Sequence, residues 1–357
     1  MASSVLSTKP EIYTVEGSQK EKPSIIAKVT GDKNGIPNKS EIRTKIEGWF
    51  NFKAELKWLN IISIFIIHVI MLYSCFTFKI AENWKTAIWM FAMGFIQGIG
   101  ITAGIHRLWS HRAYKAKWPL RVILLICYCA SGQNNPYDWV RDHRVHHKYT
   151  DTDADPHNSN RGFFFAHVGW LMMKKHPDVI QKGRQIDMSD TMTDSVFVFG
   201  CKYFLILKHI FAFLLPIMLP VYAWNETWSR AFVSQIFIRY VISLNFTWMI
   251  NSAAHTWGSK PYNANINPTD SKITALLTYG EGWHNYHHAF PWDYKTAELG
   301  GNNLNVTMLF INFFARIGWA YDLKQPSEEL VRTIVMKKGD GSHPLWGAVS
   351  YEDSKIK

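Results

Sequence analysis

A chain of 357 residues, 47% apolar and 15% aromatic, is long enough for one large or two ordinary soluble domains. Its formal charge of +11 suits either a nucleic acid or a membrane surface, and the placement of the charge excludes the first, because basic residues gather in the loops on one side of the apolar runs. Four cysteines, Cys75, Cys127, Cys129 and Cys201, form neither a C-x-x-C pair nor a disulfide framework, so nothing implies an oxidising compartment.

Residues 1–48 are rich in Lys, Ser, Glu, Pro and Gly without sustained periodicity and read as a disordered polar tail. The first 45 residues carry no cleavable signal sequence, so insertion is expected to use the first internal span. Leu59 to Phe78 and Thr86 to Gly104 are free of Asp, Glu, Lys and Arg. Each matches the ~20 residues that cross a ~30 Å hydrocarbon layer, and with Ala81 to Lys85 as the turn they predict a helical hairpin. Leu120 to Ala130 is apolar but too short to cross and holds Arg121, so it is expected at the interface or packed beneath a domain.

Two further spans are predicted over Tyr203 to Trp224 and Ala231 to Ile250, each carrying one charge, Lys208 and Arg239. An ionisable residue within a span costs roughly 2.5–3.5 kcal/mol on insertion, so Arg239 marks either a site or a packing contact. Ile105 to Lys202 carries fourteen Lys and Arg, whereas the loops after the first and third runs carry one to three between them. That asymmetry places both termini and the large loop in the cytosol. The Asn225-Glu-Thr227 glycosylation pattern falls in a very short loop and reads as chance. The following segment, crowded with aromatic residues up to Asp322, is expected against the membrane; beyond Pro326 the chain reads as a charged tail in which His343 is incidental.

Nine of the fifteen histidines stand out: His106 and His111, His143, His146 and His147, His284, His287 and His288, with His255 apart. The topology returns all of them to the cytosolic face. In H-x-x-H-H the three rings project near one face of a helix. His106 and His111, five apart and about 140° around an ideal helix, span a helix end or serve different ions. A structural zinc takes four ligands and a catalytic zinc three, so this many imidazoles suit two open-sided ions. Asp142, Asp151, Asp153, Asp155 and Glu281 are near enough in sequence to hold the outer ring nitrogens. Asn251, one turn before His255, reaches a metal directly or through water. His68, His157, His167, His176, His209 and His343 read as core or surface residues.

The stretches Gly100-Ile-Thr-Ala-Gly-Ile-His-Arg-Leu-Trp-Ser-His111, Asp142-His-Arg-Val-His-His-Lys148, Thr152-Asp-Ala-Asp-Pro-His-Asn158, Asn251-Ser-Ala-Ala-His255 and Gly280-Glu-Gly-Trp-His-Asn-Tyr-His-His288 resemble membrane acyl-CoA desaturases of the stearoyl-CoA desaturase family, insect enzymes included. The similarity runs from about Gly48 to Gly347. It implies an all-α integral membrane protein with four transmembrane helices and a cytosolic helical di-iron domain, laid out as a tail over 1–48, a desaturase domain over 49–325 and a cytosolic tail over 326–357. Two iron ions are implied, with His106, His111, His143, His146, His147, His255, His284, His287, His288 and Asn251 around them.

The implied reaction, in the endoplasmic reticulum, takes O2 and electrons from cytochrome b5 and its reductase. It places one double bond in a saturated long-chain acyl-CoA of about fourteen to eighteen carbons, at position nine or eleven. No His-Pro-Gly-Gly haem motif occurs, so the donor is a separate protein. By the same resemblance Asn134, Trp139, Arg141, Asp142, Lys174 and Lys175 hold the CoA end, and Gln133, Thr247 and Trp248 shape the bend of an acyl tunnel. Gly94 and Gly98, one turn apart, either allow close helix packing or line the methyl end of that tunnel. Histidine spacing alone does not separate desaturation from hydroxylation. A metal or proton transporter, which needs ionisable residues lining the membrane interior, fits poorly with histidines outside the spans.

Overall fold

The structure, a computed structural model, describes residues 54–298 and 305–347. The tail over 1–48 therefore lies outside the described residues, as do the last ten. Four helices are long and apolar enough to cross a membrane: α1 (Trp58–Thr77), α2 (Trp84–Ser110), and two later ones. Between the pairs come α3 (Trp118–Ala130) and α4 (Pro136–Lys148), then the third span α5 (Ser195–Trp224) and the fourth α6 (Trp228–His255). The short α7 (His284–Ala289) follows, then α8 (Val306–Arg316) and α9 (Glu328–Lys338). The only sheet among the described residues is a two-stranded antiparallel clip, β1 (Lys115–Ala116) on β2 (Ala320–Tyr321), with Ala116 opposite Ala320.

All four predicted spans are present, but three of the helices outrun the apolar runs. α2 continues past Gly104 to Ser110, α5 begins at Ser195 and α6 reaches His255. The extra turns of α2 and α6 carry polar residues that pack on protein, and in α5 Lys202 interrupts an apolar sequence, so the apolar runs stop short of the helix ends. The outer face of α1 shows Leu59, Phe65, Leu72 and Phe76 exposed, the composition of a lipid-facing surface. α2 is more than half buried.

Local chemistry explains the helix ends. Asp194 caps α5 by accepting from the Val196 and Phe197 amides at 2.9 and 3.4 Å. Asn135 caps α4 through the Tyr137 amide at 3.0 Å, and Pro136 fills the first turn, where its missing N–H costs nothing. Within α5 the backbone widens to i→i+5 bonding over His209–Leu214, just ahead of Pro216 and Pro220. This releases the Ala212 carbonyl, which accepts from Arg239 at 2.5 Å, while Gln97 Oε1 accepts from the same guanidinium at 2.7 Å. Arg239 is thus a packing residue that ties α2, α5 and α6 inside the membrane layer.

α3 lies against α2 and α5 with Leu120, Leu124 and Tyr128 fully buried in the main core. It is a core helix, of the two placements its length allowed. A second core joins Tyr262, Trp283, Tyr286 and Phe290 to Val331 and Val335 of α9. The charged tail expected beyond Pro326 is therefore corrected. Ser327 caps α9, Glu328 and Glu329 occupy its first turn, and two valines spaced one turn apart bury its inner face. The helix was hidden because only one narrow apolar stripe marks it. The four cysteines are free.

Gly100 sets the separation of α2 and α3: a Cβ there would stand 2.2 Å from the backbone of Cys127 and Tyr128. Replacing it with alanine forces the helices apart. Overpacking of this kind costs about 1–3 kcal/mol, so Gly100→Ala is expected to lower the thermal midpoint of the detergent-purified protein by several degrees. An unchanged midpoint would refute the close approach.

Candidate metal centre

The nine histidines converge into two groups. In one, ring nitrogens of His106, His111, His143, His147 and His287 all lie within 4.8 Å of one another; in the other, so do those of His146, His255, His284 and His288. Each H-x-x-H-H helix serves both. α4 sends His143 and His147 to the first group and His146 to the second, while α7 sends His287 to the first and His284 and His288 to the second. Two helices with the same spacing, facing each other, thereby place the groups side by side, with His147 stacked on His288 at 4.2 Å between ring centres.

His106 and His111 belong to the same group, which settles the alternatives left by their spacing. The second half of α2 winds with i→i+5 hydrogen bonds over Gly100–Ser110, and the His111 amide donates to the His106 carbonyl at 3.1 Å. Residues five apart therefore stand one above the other, their ring centres 4.8 Å apart. His111 sits just past the helix end, so the pair does span a terminus. His255 reaches the second group through the tight last turn of α6, over Ala253–His255.

Three carboxylates anchor outer ring nitrogens. Glu281 Oε2 lies 2.9 Å from His106 Nδ1, Asp155 2.9 Å from His146 Nδ1, and Asp151 3.2 Å from His255 Nδ1. Of the five acids singled out, Asp142 instead pairs with Arg141 and Lys175, and Asp153 is exposed and shows no histidine contact. Arg107 is a functional residue that the sequence reading passed over. Fully buried, it donates to Glu281 Oε1 from Nε at 3.0 Å and from Nη2 at 2.7 Å, and to the Tyr294 and Lys295 carbonyls from Nη1. Burial alone would raise the Glu281 carboxyl, but Arg107 and then His106 hold it below its ordinary value.

The donor set fits a cation. His106, His146 and His255 give their Nδ1 protons to carboxylates and so present bare Nε2 lone pairs inward. Two of those lone pairs stand opposite other imidazole nitrogens, His106 Nε2 3.0 Å from His287 Nε2 and His255 Nε2 3.1 Å from His284 Nε2, and His147 Nε2 lies likewise 3.0 Å from His287 Nε2. Imidazole–metal bonds of ~2.1 Å put neighbouring ligands about 3 Å apart, so these spacings are those of a coordination shell. Burial, then the neighbouring imidazoles, push His111, His143, His147, His284, His287 and His288 well below the usual histidine pKa, which keeps them in the neutral form that binds metal. Burial would also lower His146, but Asp155 holds it above its ordinary value.

A cavity of about 440 Å³ opens beside the first group, with His143 in its wall. Gln133, Asn134, Trp139, Asp142, Thr247, Trp248 and Asn251 line it, seven of the ten predicted positions outside the histidines. Trp139 stacks on His143 and donates to Gln133 Oε1 at 2.9 Å, and Gln133 donates to Thr247 at 3.0 Å, a linked set that narrows the cavity. Asn251 stands on the cavity wall one turn before His255. Arg141, Lys174 and Lys175 do not line the cavity: Arg141 pairs with Asp138 and Asp142, Lys174 with Glu55 at 2.5 Å, and Lys175 with Asp142.

Three histidines set aside as bland have roles here. His157 lines the cavity, and burial pushes its pKa down to about 3. His68 and His167 share Asn245 between them, at 3.0 and 3.1 Å, and both pack on Trp248. No spacing rule links His68 to His167, ninety-nine positions on, so only the fold reveals the pair.

Residues 82–297 match the model of the family described as fatty acid desaturase. The chain is similar to an acyl-CoA Delta-9 desaturase of Acheta domesticus, 53% identical over 83% of this chain and 82% of that protein. It is similar also to an acyl-CoA Delta(11) desaturase of Spodoptera littoralis, 48% identical over 83% of this chain and 87% of the relative. An acyl-CoA Delta12-desaturase of Acheta domesticus is 45% identical, over 88% and 87% of the two chains.

Metal retention should follow the protonation of these ligands. Groups held low stay neutral above the ordinary histidine value of about 6.5 and lose metal only as pH falls beneath it. His146, held high, protonates first, so the group of four empties before the group of five. Dialysis of loaded protein at stepped pH, followed by metal analysis, is expected to show stepwise loss, one ion leaving as His146 protonates and the other retained until the pH is well below about 6.5. Loss of both ions in a single step would contradict this order.

Proposed function

The chain belongs to the fatty acid desaturase family, and from that membership we propose that it is an endoplasmic reticulum acyl-CoA desaturase that uses two iron ions, O2 and electrons from cytochrome b5 and its reductase to place one double bond in a saturated long-chain acyl-CoA. Both termini and the histidine face are cytosolic in this reading, in keeping with the basic loop over Ile105 to Lys202. The observation that carries it is that one wall of the large cavity contains both His143, a member of the metal group, and the Trp139–Gln133–Thr247 narrowing.

The group of five histidines would hold one iron and the group of four the other, with Asn251, on the same cavity wall as His143, as a further ligand directly or through water. The irons supply the O2 chemistry that breaks unactivated C–H bonds, for which side chains have no equivalent. The protein binds the thioester end, bends the chain at Thr247 and Trp248, and keeps water from the reacting carbons. Asn134, Trp139, Arg141, Asp142, Lys174 and Lys175 take the CoA end. The cationic side chains among them now sit in carboxylate pairs, which phosphates would have to replace or join.

The relatives are named for positions nine, eleven and twelve, which supports a reading in which the tunnel, on a common metal centre, sets bond position. Beyond Thr247 a narrow cavity of about 60 Å³ leads to one of about 250 Å³, and Gly94 borders both. The two glycines part ways. A Cβ at Gly98 would meet the Tyr279 ring at 2.2 Å, so Gly98 makes room for packing, whereas a Cβ at Gly94 has nothing within 4 Å. Gly94 therefore lines the methyl end of the acyl path.

Expression in a yeast lacking its own desaturase, beside a His146→Ala control, is expected to yield monounsaturated acyl chains that the control lacks. Hydroxylated products would replace this reading with a hydroxylase. In the same host Gly94→Phe is expected to shift products to shorter chains by closing the path beyond Thr247. An unchanged product profile would remove Gly94 from the tunnel.

A further inference from the structure

The histidine helix α7 has two faces. His284, His287 and His288 point to the metal groups, while Trp283, Tyr286 and Phe290 rest on the second core, against Val331 and Val335 of α9. The segment after Pro326 is thus the floor on which three ligands stand.

Hydrogen bonds continue the connection. The Ala264 amide donates to the Lys338 carbonyl at 2.7 Å, and Asp340 accepts from the Lys260 amide at 2.6 Å, so the end of α9 is laced to the 260–264 loop. That loop is held in turn by Asn285, whose Oδ1 accepts from the Tyr262 and Asn263 amides at 2.8 and 3.0 Å. Asn285 is fully buried and lies between His284 and His287.

His343 fastens the far end. It is buried, stacks on Trp346 at 4.6 Å with an interplanar angle of 2°, and accepts at Nδ1 from the Leu345 and Trp346 amides. Its Nε2 then carries the proton and donates to Glu298 at 3.2 Å, and Glu298 also accepts from the Tyr262 hydroxyl at 2.9 Å. The expectation that His343 is incidental is corrected by these contacts.

We infer that residues 327–347 form a strap that positions the group of four histidines, with His343 as its latch. This rests on the two-ion reading above. The dependence is one-sided because three of the four ligands, His255, His284 and His288, come from the C-terminal half of the chain, whereas the group of five takes only His287 from it. The Thr269 amide donates to the Ala254 carbonyl at 2.7 Å and the His284 amide to the Thr269 carbonyl at 3.3 Å, so His255 moves with α7. Loosening the strap frees one ion and leaves the other.

The test is anaerobic equilibrium dialysis of the metal-stripped, detergent-purified full chain against ferrous iron, with bound iron counted per chain. Wild type, His343→Ala and His343→Gln are compared, each checked for monodisperse elution and helix content. Direct outer partners of metal ligands are worth about 10–100-fold in affinity, and His343 acts further out, through Glu298 and Tyr262. His343→Ala is therefore expected to bind one ion as wild type does and the second up to about tenfold more weakly. His343→Gln, whose amide can still donate to Glu298, restores the second. Two ions held by a folded His343→Ala with wild-type affinity, or two lost together, would overturn the strap. A wild-type chain that takes up one ion overturns the two-ion reading, and the inference with it.

Discussion

Each neutral imidazole has one N–H and one lone pair, so a histidine that gives its Nδ1 proton to a carboxylate must present a bare Nε2 to whatever lies ahead. Here three such histidines, His106, His146 and His255, are aimed at further imidazoles in a buried space. Left alone, this arrangement is a set of facing lone pairs; around cations it is a pair of coordination shells. The carboxylates that fix the geometry carry their own burial penalty, which Arg107 offsets for Glu281 and paired backbone amides offset for Asp155. Removing Arg107 would therefore act on His106 through Glu281, two contacts from the metal.

The membrane layer supports this constraint by supplying rigid posts. His106 and His255 are carried on helices that cross the apolar layer, so the metal groups are anchored to α2 and α6. Those same helices wall, through Gly94 and Thr247, the narrow cavity that the proposed function makes the acyl path. Ligands and tunnel are thereby fixed to one frame, which matters because a displacement of ~1 Å between reacting atoms can cost ~100-fold. The buried tie of Arg239 to Gln97 and the Ala212 carbonyl holds that frame together where lipid offers no hydrogen bonds.

Much of this was legible in the sequence because it rests on local rules. Twenty-residue apolar runs located the spans, and H-x-x-H-H located the ligand helices. What could not be read depends on departures from ideal geometry or on distant contacts. The 140° separation of His106 and His111 holds for a regular α-helix, and the i→i+5 winding after Gly100 removes it. Arg107 looked like one basic loop residue among fourteen, since its meaning lies in Glu281, far along the chain. His343 looked isolated because Glu298 and Tyr262 reach it only through the fold. Lys174 and Lys175 fit the family resemblance, yet they lie in ion pairs with Glu55 and Asp142 that composition does not disclose.

Relatives 45–53% identical to this chain are named for three different bond positions. The division of labour between metal centre and tunnel in the proposed function is physically economical. The histidine groups are tightly constrained: carboxylates hold His106, His146 and His255, Arg107 holds one of those carboxylates, and two packed helices carry six of the rings. Position 94, the methyl end in the proposed function, is loosely constrained, since a Cβ at Gly94 has nothing within 4 Å. Change at such a position alters how far the acyl chain advances while leaving the coordination shells intact. Regiochemistry is then free to vary one residue at a time at the end of the tunnel remote from the iron, on a scaffold whose chemistry stays fixed.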